Sequence, residues 1–135
     1  MAKETCLLLV ALLVGGVFSC GRREEPSESR ELKSQAQEFV ELLAQEDFPA
    51  AVASFDSVMK DAMPSDKLRE VWKGLVAESG AFKRHTAARM EKVQQYDVVF
   101  VTCEFEKRIL DIKVVFDSTG QVSGLWFVPP QSSGG

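Results

Sequence analysis

Three cysteines, one histidine and one tyrosine are all that this chain holds of those residue types, and the scarcity closes off several chemistries. Cys6 lies inside an apolar leader and Cys20 at its end, so Cys103 is the one cysteine in the body of the domain. A single thiol has no intramolecular disulfide partner, and one histidine with one free thiol falls short of a zinc-binding set. No cofactor and no metal is expected, and Cys103 reads as a buried, inert core residue. Positive charge is also short: 16 Lys and Arg stand against 20 Asp and Glu, a net of −4. That balance argues against nucleic acid, which needs a basic patch, and equally against a polybasic membrane-surface module.

What is present begins with the first twenty residues. Lys3 gives a short positive start, Cys6 to Phe18 is an almost unbroken apolar run, and Val17-Phe18-Ser19-Cys20 closes it. A helix of about 13 residues reaches only roughly 20 Å, whereas a bilayer core is about 30 Å thick, so the run is too short to span. Charge, apolar segment and small residue in that order make a secretory leader. With cysteine directly after the small residue, the leader resembles a bacterial lipoprotein signal, in which that cysteine is lipidated. Residues 1–19 are therefore expected to be cleaved and Cys20 to carry the lipid. The protein would then sit in a bacterial cell envelope, anchored on the periplasmic or extracellular face of a membrane. Loss of Lys3 and Glu4 with the leader leaves the net charge unchanged. Residues 20–30 have no apolar side chain to bury beyond the anchor and read as a flexible tether, and ten such residues span roughly 17–19 Å. Residues 129–135, with Pro129-Pro130 and a Ser/Gly end, read as a loose tail. A single domain over 31–128 is what remains.

Within that domain the hydrophobic period changes once. Ala36, Phe39, Val40 and Leu43 form one helical stripe, Phe48, Ala51, Val52 and Phe55 a second, and Leu68, Val71, Trp72 and Leu75 a third. Asp47 and Pro49 mark the second start, Pro64-Ser65 the third, and Gly80 its end. After Gly80 the period becomes two. Tyr96 to Phe105, Ile109 to Phe116 and Gln121 to Phe127 are rich in Val, Ile and Phe and read as strands, with a weaker one over Phe82 to Val93. Asp117-Ser118-Thr119-Gly120 is a turn, since Asp can cap it and Gly can take positive φ.

A four-residue turn at Glu106 to Ile109 would pair Phe105 with Leu110 and Cys103 with Ile112, and one at Asp117 to Gly120 would pair Phe116 with Gln121 and Ile112 with Leu125. One sheet face is then nearly all apolar and must meet the helices. The other carries Val98, Phe100, Thr102, Glu104, Asp111, Lys113, Val115, Val122, Gly124 and Trp126. In that register Glu104 faces Asp111, a like-charge pair that costs stability unless Lys113 offsets it. The expected class is α+β: N-terminal helices packed on a curved antiparallel sheet of about four strands.

At this point the chain resembles a bacterial domain family of unknown function in the nuclear-transport-factor-2-like (cystatin-like) superfamily, found in front of α/β-hydrolases or as a small lipoprotein. The matching segments are Phe39-Val40-Glu41-Leu42-Leu43, Asp47-Phe48, Phe55-Asp56 with Val58-Met59-Lys60, Leu68 with Val71-Trp72, Gly80-Ala81-Phe82 and Cys103-Glu104-Phe105. The resemblance implies a conical pocket between sheet and helices, in which enzymes of the superfamily place an acid/base pair. Here the domain is expected to stand alone, and fold by itself carries no function across.

Three readings follow. The first is a non-catalytic domain binding a small hydrophobic ligand near Met59, Trp72 and Cys103, where the alternative is simply filled core, or a partner (a second copy or an envelope protein) through Phe100, Val115 and Trp126. The second is an isomerase- or dehydratase-like enzyme using His85 with Asp97 or Glu104. The third is a structural or inhibitor-like module acting only through its surface.

Overall fold

The computed structural model describes residues 26–130. The expected leader, Cys20 and the tail past Pro130 lie outside the described residues. Helix α1 spans Ser27–Ala44 and buries Leu32, Ala36, Phe39, Val40 and Leu43. It begins inside the stretch read as tether: Arg30 N–H donates to Pro26 C=O at 3.2 Å. Those first residues add a turn ahead of the stripe, because a helix already nucleated by core packing extends at little cost.

The second stripe breaks into two short helices, α2 (Phe48–Val52) and α3 (Ser57–Ala62). Asp47 caps α2 through Ala50 N–H, and Asp56 caps α3 through Met59 N–H. The break falls at Phe55, which is fully buried and pairs with Val122 in a parallel bridge. Helix α4 (Ser65–Ser79) buries Leu68, Trp72 and Ser79 and is closed by Gly80 at φ 84. A Cβ on Gly80 would meet Glu106 Cβ at 2.6 Å, so this glycine is required for conformation and for space.

The sheet runs β1 (Phe82–Val93), β2 (Tyr96–Phe105), β3 (Ile109–Phe116) and β4 (Val122–Val128), in that spatial order. All pairs are antiparallel. Helices followed by a curved, unclosed four-stranded sheet make the expected α+β class. Val99, Val101, Cys103, Phe105, Leu110, Ile112, Val114 and Phe116 join the helical stripes in one core. No helix among the described residues is long and apolar enough to cross a membrane.

Two registers differ from expectation. Cys103 pairs with Leu110 and Val101 with Ile112, a slip of two that keeps every residue on its face. The cause is tertiary. Glu106 N–H donates to Ala81 C=O at 3.0 Å and Lys107 N–H to Ser79 C=O at 2.8 Å, while Phe105 N–H closes the turn on Arg108 C=O. The end of α4 thus holds a tighter turn. Glu104 consequently faces Ile109, and Asp111 faces Thr102, so the like-charge pair does not form. In the second hairpin a register shift between Val115 and Phe116 leaves Ser123 unpaired, with Val122 opposite Phe116 and Gly124 opposite Val115. This bulge turns Val122 inward, 1% exposed, where Ser54 C=O and Asp56 N–H clamp it.

Candidate functional site

The inner layer is filled where a conical pocket was expected. The Trp72 ring centroid lies 6.2 Å from Phe82, 5.9 Å from Phe105 and 6.5 Å from Phe127, and Phe82 meets Phe105 edge-on at 5.6 Å. These offset contacts are the preferred geometry for packed aromatics. Trp72 is 2% exposed and Cys103 is fully buried, while Met59 is half-buried at the core's border. None of the described clefts is lined by any of these three residues. Burial, with the Asp111 charge as the lesser cause, pushes the Cys103 thiol up to about 12. Its Sγ donates to Val101 C=O, and a thiol held protonated is a poor nucleophile.

The three acid/base candidates are apart. His85 is on the helix-facing side of β1, opposite Cys103. Glu104 points to the other side and pairs with Arg84 at 2.7 Å. Asp97 is the second residue of β2, roughly 20 Å along the strand from Cys103, and is held by Lys92 at 3.2 Å. The partner that His85 does have is Glu41, Nε2 to Oε2 3.0 Å, in a cleft of about 350 Å³ with Phe82, Lys83 and Arg84. Glu41 reads in sequence as a polar position of α1, and only the docking of α1 on β1 brings it to the histidine. The pair can pass a proton, and the cleft also holds the Lys83 amine, though none of its lining residues bears a hydroxyl or thiol.

The outer sheet face is more organised than its composition implies. Arg89, Phe100, Lys113 and Trp126 occupy one cross-strand row through all four strands. Arg89 Cζ lies 4.1 Å from the Phe100 centroid. Lys113 Nζ lies 5.9 Å from Phe100 and 5.1 Å from Trp126. Cation and aromatic alternate along the row, each ring face meeting a positive charge. In the next row Thr102 Oγ1 donates to Asp111 Oδ1 at 2.8 Å, and Arg89 Nη2 reaches Asp111 Oδ2 at 3.6 Å.

Of the apolar residues expected to form an exposed patch, Val98 and Phe100 are buried and Val122 faces the core. Phe100 lies beneath the Arg89 guanidinium. Val115 is half-buried, and Trp126 is the exposed member at 51%. Its indole lies back across Gly124, where an added Cβ would meet Trp126 Cζ3 at 2.5 Å. The glycine therefore seats the ring flat against the sheet. Sequence alone offers one signal for this, a glycine two positions before a tryptophan on the same strand face.

These features define a two-layer α+β domain with a packed interior and a structured outer face. Among the described residues no group of three or more His, Cys, Asp or Glu gathers as a metal site would require. Residues 36–125 match the model of a family described as a protein of unknown function (DUF3887), and the chain belongs to that family. No curated protein and no solved structure matches it.

Proposed function

We propose that this protein is a non-catalytic interaction domain of the nuclear-transport-factor-2-like superfamily, held at an envelope membrane by lipid on Cys20. Its outer sheet face receives a protein partner, either a second copy of the chain or another envelope protein. The observation that carries the reading is Trp126, half-exposed yet packed over Gly124 and beside Lys113. An aromatic already fixed in its binding geometry loses little conformational freedom on association, and tryptophan is favoured at the centre of interfaces. The filled interior around Trp72 speaks against a hydrophobic ligand held among Met59, Trp72 and Cys103. The acid/base reading would need His85 with Glu41 in place of Asp97 or Glu104, and Glu41 is 56% exposed at the surface rather than held in a water-excluding pocket that would tune it as an acid or base, so it is not adopted.

Trp126→Glu tests the reading directly. The variant should melt within a degree or two of wild type, because the ring is at the surface. It should also lose a self-association measured by sedimentation, or a partner recovered by crosslinking in envelopes. Unchanged mass and an unchanged crosslinking pattern would leave the outer face without this role.

A further inference from the structure

The geometry points to a binding site for a small apolar carboxylate at the end of the domain where α4 meets the β3 and β4 termini. A cleft of about 470 Å³ opens there, lined by Leu75, Ile109, Leu110 and Phe127, with Arg108 and Glu78 as its charged members. That volume lies within the range of small-molecule sites, which are mostly apolar with a few placed polar groups. It is a different place from the Met59, Trp72 and Cys103 interior and from the Trp126 face. Phe127 forms part of its floor and backs onto Trp72, so the wall is rigid. Ile109, 48% exposed, is apolar surface that the fold leaves open to water.

Arg108 supplies the polar half of the recognition. Its Nε–H donates to Ser79 Oγ at 2.8 Å, and Ser79 is fully buried at the end of α4. The tight turn that carries Arg108 is itself held by Lys107 N–H on Ser79 C=O. The guanidinium plane is thus anchored on one side, while among the described residues its other edge reaches Glu78 Oε1 at 3.3 Å. Glu78 is 77% exposed, and an exposed ion pair of this kind is worth little. A ligand carboxylate arriving on the apolar floor can take the guanidinium edge in a two-pronged contact stronger than the surface pair it displaces. An alcohol of the same shape gains the floor but not the charge-assisted contact.

The test uses the full chain in lipid nanodiscs, with empty nanodiscs as blank, 4-phenylbutanoate as probe and 4-phenylbutanol as its uncharged match. Binding is followed by saturation-transfer NMR. Saturable binding of the acid is expected, with the alcohol weaker by about ten- to a hundredfold, the range of a hydrogen bond to a charged group. Arg108→Gln should weaken the acid to the level of the alcohol and leave the alcohol unchanged. Ile109→Asn, at a half-exposed position and without a new charge opposite Glu104, should weaken both. Acid binding equal in wild type and Arg108→Gln, acid binding unweakened by Ile109→Asn, or no signal above empty nanodiscs would each overturn the assignment.

Discussion

Trp72 and Trp126 show how one residue type takes opposite roles in a small domain. Trp72 sits on the inner face of α4 among Phe82, Phe105 and Phe127, and its helical spacing from Leu68 and Leu75 announces this. Truncating a buried aromatic costs about 3–5 kcal/mol, a large share of the stability of a domain this size. Trp72→Ala should therefore be largely unfolded or melt far below wild type in urea or by heat, and a melting point close to wild type would contradict the packing described. Trp126 is exposed because the bulge at Ser123 and the bare Gly124 set where its ring lies. Strand alternation gives its face, but the flat seat on glycine is a side-chain contact that no spacing rule contains.

At the scale of elements, hairpins and helix ends behave differently. The β3–β4 turn is locally encoded. Asp117 Oδ1 accepts from Thr119 N–H at 2.9 Å, Thr119 Oγ1 at 2.7 Å and Gln121 N–H at 3.0 Å, and Gly120 takes φ 84. The Thr119 hydroxyl first, with backbone amides behind it, holds the Asp117 carboxyl below the usual carboxylate range. A carboxyl depressed in the folded state stabilises it above the unfolded pKa, and that contribution disappears as pH falls through the folded pKa. Asp117→Asn should thus melt lower than wild type at neutral pH, with the gap closing as pH drops through the carboxylate range. Paired thermal melts across that range check it, and a gap that stays constant with pH would contradict it. The β2–β3 turn is not local in this sense. Its register depends on Ser79 and Ala81, which bond the turn backbone from α4 and its exit. A reading confined to Phe105–Leu110 therefore places the strands correctly but pairs them two residues out.

For the whole molecule, the inner layer and the surface divide the labour. Hydrophobic burial accounts for the core, where aromatic and aliphatic side chains from α1, α2, α4 and the sheet meet. Several charged groups on the outer face are joined in pairs, Arg84 with Glu104 and Arg89 with Asp111 across strands and Arg89 with Glu91 along β1. The proposed attachment at Cys20 adds a location to this architecture. Several acyl chains on one cysteine give stable membrane binding, where a single chain gives only reversible binding. Cys20→Ser should leave unprocessed precursor or a form released from the membrane, seen as a shift in mass and in membrane fractionation. Unchanged mass and fractionation would remove the anchor from the proposal.

Period and punctuation in the chain were sufficient for the class of fold. Stripes at three- and four-residue spacing, alternation after Gly80 and the Asp117–Gly120 turn specify helices, strands and the inner face, because these patterns follow from backbone geometry alone. The four-residue break around Phe55, the two-residue slip at Arg108 and the inward turn of Val122 were decided by contacts between distant segments. So was the approach of Glu41 to His85, since a polar position on a helix carries no mark of the strand it will meet. The cleft at Arg108 belongs to the same group. Its apolar floor comes from α4, β3 and β4 and its cation from a turn, and only their packing, with buried Ser79 as the common support, brings a guanidinium to the edge of an apolar surface.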